Sequence, residues 1–492
     1  MSVGQSSQNV RSATWWVHST AFLALFVASI VFVLEVYSIS GANGWWLDEI
    51  WSVWATGPRM AFYKAFSERI AYDTTPPLYY VSLFWTRRLL ADERSAVILL
   101  NLALIAAFAA ATIVISRKRG MISWALIAVG AFLCSGPVLR YVVEGRAYLM
   151  AMVIAFAASW YSALAVDRQS ICENRKTFAL LGIIAALTHV FAALFCCCLA
   201  VGLITYSYFD HRPRLRGSGL ALGLSAGIGG LLFIAWAVNL AEQASWIEFS
   251  YGSMLAAYWD IRQLVFGSRI TIMFFVALFL IAMLLPSARS LTVIFGVTWG
   301  LFVLIPILVS FVQPTILSRY WLTGAPSIVV FVMFLTRALA CDVHAAHPRL
   351  RMVGALACLA FLTLTDAGSY SKAFSFVSDK PAWRGVELVT PVLHGCPSAA
   401  VHVNGFVNLF ATAARVSDSM FVDASFSKTP FVKAGLSSCS VLGWAEHLSP
   451  QFVLEASEEE LLQLLKIDSG RLEVNIIRHA HGFVITTARS GG

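Results

Sequence analysis

The sequence predicts a polytopic α-helical membrane protein, with about eleven spans of the roughly 20-residue length a bilayer requires and a small α/β domain at its C-terminal end. Three observations carry this. Of 492 residues, 59% are hydrophobic and only 13% are charged, against about 45–50% and about 25% in soluble globular domains. Apolar stretches recur as far as residue 366, and beyond it the composition turns mixed and charged. So little polar surface cannot cover a water-soluble body of this size, which excludes a cytosolic enzyme, a disordered chain and a fibrous repeat.

The first apolar run, 21–39, follows a polar start containing Arg11 and leads straight into GANGWWLDEIW. With no small-residue cleavage site after it, it reads as an uncleaved span whose N-terminus lies inside. Residues 40–94 form a first outer loop, dense in Trp and Tyr with charges every few residues, which is interfacial chemistry. Within it, 76–90 opens on Pro76-Pro77 and ends on Arg87 and Arg88. At about 15 residues it reads as an interfacial helix begun by the prolines. Further apolar runs cover 95–116, 121–139, 147–166, 177–188, 190–208, 217–240, 270–286, 291–312, 321–338 and 352–366, with Thr188-His189 as a tight hairpin.

The net charge of +8 would suggest nucleic acid in a soluble domain. Here the basic residues gather in alternate short loops: Arg117, Lys118 and Arg119; Arg168, Arg175 and Lys176; Arg212, Arg214 and Arg216; Arg289; and Arg337, Arg349 and Arg351. If 76–90 does not span, all lie on the side of Arg11, which the positive-inside rule makes cytoplasmic. The expected partners are therefore membrane lipids and no nucleic acid. A second outer loop at 140–146 and the tail then face the outside, and short outer loops with a small tail point to a bacterial inner membrane.

The chain thus divides into a transmembrane module, 1–366, and a soluble extracytoplasmic domain, 367–492. In the tail, 398–403, 472–477 and 482–488 read as strands. Residues 456–467 read as a helix capped by Ser457 with acidic residues in its first turn. Of nine cysteines, Cys134, Cys172, Cys196, Cys197, Cys198, Cys341 and Cys358 lie in or beside apolar runs and read as packing residues. No CxxC pair points to zinc or redox chemistry. Cys396 and Cys439 are a candidate disulfide pair for an oxidising compartment.

Charge at a membrane is costly unless it meets water or does chemistry. The outer-side set is Asp48, Glu49, Asp73, Arg140, Glu144, Arg146, His189, Arg262, Arg269 and Arg319 with Tyr320. Each has a plain alternative. Asp48 would cap a helix, Glu144 and Arg146 would form an exposed ion pair, Arg319 would anchor at the interface, and His189 would be a turn residue. Yet Asp48, Glu49, Glu144 and Arg146 are embedded in Trp-, Tyr- or Val-rich sequence, where a purely solvated charge has no evident role. A carboxylate there suits general base catalysis, and a guanidinium fork suits a phosphate leaving group. Together they fit transfer from a lipid-phosphate donor to a hydroxyl. A lipid or polysaccharide transporter or flippase, without bond chemistry, is the competing class; it would place charge at mid-span in broken helices.

The order of LDEIW after the first span, TTPPLYY, YVVEGRAYLMA, SRYWLTGAP and finally DKPAWRGVELV resembles the GT-C membrane glycosyltransferases, in the branch of protein O-mannosyltransferases and bacterial lipid A aminoarabinose transferases. The resemblance covers roughly residues 20–390. It implies a polyprenyl-phosphate-sugar donor, an acceptor hydroxyl on a lipid, glycan or protein reached from outside, and inversion at the anomeric carbon. Asp48 then matches the catalytic base, with Glu49 completing the acidic pair. Glu144, Arg146, Tyr148, Arg319, Tyr320 and Tyr79 match substrate-binding positions. Thr75 stands where relatives carry His, and His189 is the candidate to take over that role. Relatives differ over metal dependence, so the need for a divalent metal stays open; Asp48 and Glu144 would be its first oxygen ligands.

Overall fold

In the computed structural model the described residues are 3–42, 47–58, 60–90, 92–166, 174–237, 251–266, 268–284, 286–311 and 318–342, then 388–389, 400–404, 407, 420–424, 432–433, 441–446, 448–468, 474–479 and 482–487. The chain falls into two compact units, residues 1–40 with 66–376 and residues 41–65 with 377–492. The expected boundary at 366, the expected span 352–366 and the Cys396–Cys439 pair lie outside the described residues.

The helices in chain order are α1 (Val3–Ala42), α2 (Leu47–Ala55), α3 (Phe62–Glu68), α4 (Leu78–Leu89), α5 (Glu93–Arg117), α6 (Ile122–Leu133), α7 (Gly136–Val142) and α8 (Tyr148–Val166). They continue with α9 (Arg175–Thr188), α10 (Val190–Phe209), α11 (Pro213–Ala237), α12 (Tyr251–Ile261), α13 (Arg269–Leu284), α14 (Pro286–Ser310), α15 (Ser318–Trp321) and α16 (Pro326–Asp342). A helix rises 1.5 Å per residue, so length decides which of them can cross a membrane. Seven of the described helices are long and apolar enough: Ser19–Ser40 within α1, α5, α8, α10, Pro213–Trp236 within α11, Ala288–Ser310 within α14, and Arg319–Ala338, which contains most of α16.

Three expected spans look different. The run 121–139 is a pair, α6 and α7, bent by 62°. Ser135 between them is the N-cap of the second piece and is extended (φ −75°, ψ 134°), as N-caps are, and Pro137 lies in that piece's first turn, where a proline costs no hydrogen bond. The runs 177–188 and 270–286 become helices of 14 and 16 residues, short of a full crossing. The prolines at 76–77 do start a helix, α4, of 12 residues.

In the first unit α8 is almost wholly buried and packs against α5, α9, α10 and α16. Its Phe156 meets Phe108 of α5 and Phe132 of α6 at ring distances of 4.9 and 5.3 Å, and Trp160 meets Phe334 of α16 at 5.0 Å. Lipid-type side chains face outward instead on α1 (Phe22, Leu23, Phe26) and α11 (Leu231, Leu232), as a bilayer solvent permits. A Cβ at Gly202 would lie 2.6 Å from the Ile294 carbonyl, so α10 and α14 touch at backbone distance, the small-residue contact typical of membrane helices.

The second unit contains α2 and a five-stranded sheet of β1 (Ala400–Val403), β2 (Met420–Asp423), β4 (Val441–Ala445), β6 (Val474–His479) and β7 (Gly482–Thr487) in the order β2-β1-β4-β7-β6. β1 runs parallel to β2 and β4, while β4–β7 and β6–β7 are antiparallel. Two short strands, β3 (Val432–Lys433) and β5 (Ile467–Asp468), pair beside it. The expected helix is α18 (Glu458–Leu464), preceded by α17 (Pro450–Glu455). Ser457 caps α18 in a reciprocal box with Glu460, satisfying two backbone donors that the helix start leaves open. Ala424, Ala445, Leu461, Leu465, Phe483 and Ile485 form its core.

Candidate active site

Pro76-Pro77 cannot continue a helix backward, so the chain enters α4 from the loop that carries Asp73 and Thr75. Asp73 accepts the Thr75 backbone N–H at Oδ1 (2.7 Å) and the Tyr80 hydroxyl at Oδ2. The guanidinium of Arg146 completes the network. Its Nη1 donates to the Tyr80 hydroxyl and lies 3.5 Å from Asp73 Oδ2, and its Nη2 donates to Thr75 Oγ1 at 3.2 Å. Asp73, Thr75, Tyr80 and Arg146 are all buried. A guanidinium held at both terminal nitrogens in a buried place has fixed direction, which an exposed ion pair does not.

The loop between α7 and α8 that carries Glu144 and Arg146 is held from below by Asn101 of α5. Its Nδ2 donates to the carbonyls of Val142 (2.9 Å) and Glu144 (3.2 Å). One side chain thus serves two backbone acceptors that the end of α7 leaves without helical partners. Glu144 is itself buried.

Two residues beyond Arg146, Tyr148 starts α8 and opens an aromatic wall. Its ring lies 5.3 Å from His189 and 6.4 Å from Tyr320, and Tyr320 stacks on Phe191 at 4.6 Å. Arg319 sits with its guanidinium carbon 5.9 Å from the Tyr148 ring and 5.6 Å from the Tyr320 ring. His189 joins α9 to α10 in extended conformation, and its Nδ1 accepts the Phe191 N–H at 3.1 Å. Burial pushes the His189 pKa down to about 3, with the charges of Arg146 and then Arg319 adding to the shift. Both guanidiniums therefore act on one imidazole.

Arg146, Tyr148, His189, Arg319 and Tyr320 come together, as the reading of a shared site requires, although they lie on three separate stretches of chain. The solvated alternative does not hold for Glu49, Asp73, Arg140, Glu144, Arg146 or His189, all of which are buried. His189 is the expected hairpin residue, and its ring is interior. Tyr79 is fully buried beside Tyr80, ring centroids 6.2 Å apart; of the two, Tyr80 carries the bond to Arg146. Glu49 and Asp48 lie in the first turn of α2, in the second unit. The Asp48 side chain is outside the described residues. Among the described residues no three His, Cys, Asp or Glu side chains gather as a metal site, and the Asp48–Glu144 pair rests on that undescribed side chain.

Sequence reasoning did not select Tyr80, Thr75 or Asn101 as site residues, and placed Asp73 only among the outer charges. Asp73 and Tyr80 flank Pro76-Pro77 closely enough for one turn to join them. Asn101 offered a weaker signal, a lone amide in an apolar span, which must bond to something.

No family model matches the chain, and no curated protein matches it in sequence. Among solved structures its fold is similar to that of ArnT from Cupriavidus metallidurans, crystallised bound to undecaprenyl phosphate. The TM-score is 0.53, over 94% of this chain and 98% of that one, at 11% sequence identity. A likeness at that identity is one of fold, and it is the fold that the order of motifs implied.

Proposed function

We propose that the chain is a membrane glycosyltransferase that moves a sugar from a polyprenyl-phosphate donor to an acceptor hydroxyl on the extracytoplasmic face, with inversion. The observation that carries this reading is that Arg146, oriented by Asp73, Tyr80 and Thr75, precedes Tyr148 by two residues, and that the Tyr148 ring lies 5.3 Å from His189 and 5.9 Å from the Arg319 guanidinium carbon. Arg146 is buried and faces Asp73, Arg319 is half-buried, and a phosphate near both brings negative charge to two cations. The solved structure of similar fold holds undecaprenyl phosphate, an anion of this class.

In this mechanism Asp48, beside Glu49, takes the proton from the acceptor hydroxyl. The oxygen attacks the anomeric carbon as the bond from that carbon to the phosphate oxygen breaks. Arg146 and Arg319 stabilise the phosphate as its charge grows, which is worth most where water is excluded. Glu144, Tyr79, Tyr148 and Tyr320 shape the place of the sugar, the aromatic rings offering apolar faces to it. The base role of Asp48 rests on the motif resemblance. The cytoplasmic N-terminus and the extracytoplasmic tail rest on the charge of the loops.

A transporter would need charge along a path through the bilayer. Among the described residues of the first unit, the buried charges Asp73, Arg87, Arg140, Glu144 and Arg146 lie on the short helices or loops, away from the middles of the seven long helices. The reading is tested by mass spectrometry of envelope glycans, lipids and glycoproteins with and without the gene. Loss of a single-sugar mass names donor and acceptor class; an unchanged envelope under conditions of expression would overturn the transferase.

A further inference from the structure

We propose that His189 is a neutral hydrogen-bond donor, through Nε2–H, to a phosphoryl oxygen of the ligand held between Arg146 and Arg319. This rests on the lipid-phosphate reading of the site and assigns a specific atom to it.

The position of the proton follows from geometry. At the start of α10 the Phe191 N–H donates to Nδ1 of His189 at 3.1 Å. A ring nitrogen that accepts carries no proton, so a neutral imidazole in this place holds its proton on Nε2. The ring is neutral because it is buried and because two guanidiniums oppose a third positive charge. Among the described residues Nε2 has no hydrogen-bond partner, the ring being lined by Tyr148 at 5.3 Å, Tyr320 at 5.8 Å and Phe191 at 6.1 Å.

Nε2–H is thus open to an acceptor that a ligand supplies, and its ring lies beside Tyr148 and Tyr320, the two rings that the Arg319 guanidinium approaches at 5.9 and 5.6 Å. A phosphoryl oxygen accepts from this donor and brings negative charge to a ring that two guanidiniums neighbour, whereas a sugar hydroxyl accepts without bringing charge. The same tautomer excludes a role as general base, since Nδ1 is engaged and Nε2 already bears its proton. His189 therefore binds the oxyanion and transfers no proton.

Two substitutions separate the donor from the helix cap. His189→Asn keeps a short side-chain acceptor for the Phe191 N–H, as Asn does at helix starts, and removes the donor at the reach of Nε2. His189→Gln carries an amide N–H at that reach. The full chain in detergent is titrated with undecaprenyl phosphate, undecaprenol and inorganic phosphate, followed by native mass spectrometry, with thermal unfolding measured alongside. H189N is expected to bind undecaprenyl phosphate about ten- to a hundredfold more weakly, the size of a hydrogen bond to a charged group, with wild-type unfolding. H189Q is expected to stay close to wild type in binding.

Wild-type affinity in H189N, or equal losses in both variants with lowered unfolding temperatures, overturns the donor role and leaves His189 a cap. Binding of inorganic phosphate as tight as that of the lipid, weakened again only in H189N, supports the donor and overturns the lipid as source. A wild-type chain that binds undecaprenol as well as its phosphate, or binds neither, overturns the lipid-phosphate reading and this assignment with it.

Discussion

Asn101 holds Glu144 by its backbone: the amide Nδ2 of one donates to the carbonyl oxygen of the other at 3.2 Å, across 43 positions of sequence. The same amide reaches Val142 at 2.9 Å. The loop that aims Arg146 is therefore tied to a long apolar helix as well as to its own neighbours. Asn101→Asp preserves shape but replaces the donor with an acceptor facing two carbonyls. The expected result is a stability loss of about 1–3 kcal/mol and weaker binding of undecaprenyl phosphate, read by thermal unfolding and by the same titration. Unaltered values for both would show that the loop is held by other contacts.

Arg146 is bonded by Tyr80 and Thr75 and faces Asp73. Arg146→Lys keeps the charge and loses the fork, so transfer should fall by about 10²–10³, the scale of one preorganised donor in a water-excluded site. Tyr80→Phe removes one partner and should cost less. In a double-mutant cycle the two losses should not add; strict additivity would mean that Tyr80 does not orient the guanidinium.

Asp48→Asn tests the proposed base. General base catalysis is worth about 10²–10⁴, so transfer should drop by at least that much while membrane insertion, unfolding and lipid binding stay at wild-type values. Full transfer by this variant removes Asp48 from the mechanism.

His189 also predicts a pH effect on stability. Its folded pKa lies at about 3, below the ordinary value near 6.5 that an unfolded chain shows. Between these values the unfolded chain binds a proton that the folded ring refuses, so stability falls as pH is lowered below about 6.5, by on the order of 1 kcal/mol per pH unit. Thermal unfolding between pH 7 and 5 should show this slope, and H189N should flatten it. An identical slope in the variant assigns the acid sensitivity to another group.

Much of the architecture is legible without coordinates, because burial in lipid makes composition a direct readout of position. The long spans 21–39, 95–116, 147–166 and 190–208 are apolar on every side and appear as helices at nearly those bounds. The helix begun by Pro76-Pro77, the cap at Ser457 and the strands of the tail are likewise local events, set by φ restriction, side-chain acceptors and alternation. Order of motifs along the chain was enough to imply the fold.

Local chemistry is silent on what depends on a third dimension. The stretch 121–139 is uniformly apolar, and its 62° bend comes from one Ser-Gly-Pro junction that hydropathy averages away. Tyr79 and Tyr80 are equal as letters, and only the rotation of α4 about its axis gives Tyr80 the bond to Arg146. Asn101 and Glu144 are joined because α5 passes beneath the end of α7, where open carbonyls need a donor. Whether an imidazole is a solvated switch or a neutral donor depends first on its burial and then on the guanidiniums of Arg146 and Arg319, and both conditions are set by helix packing between distant segments.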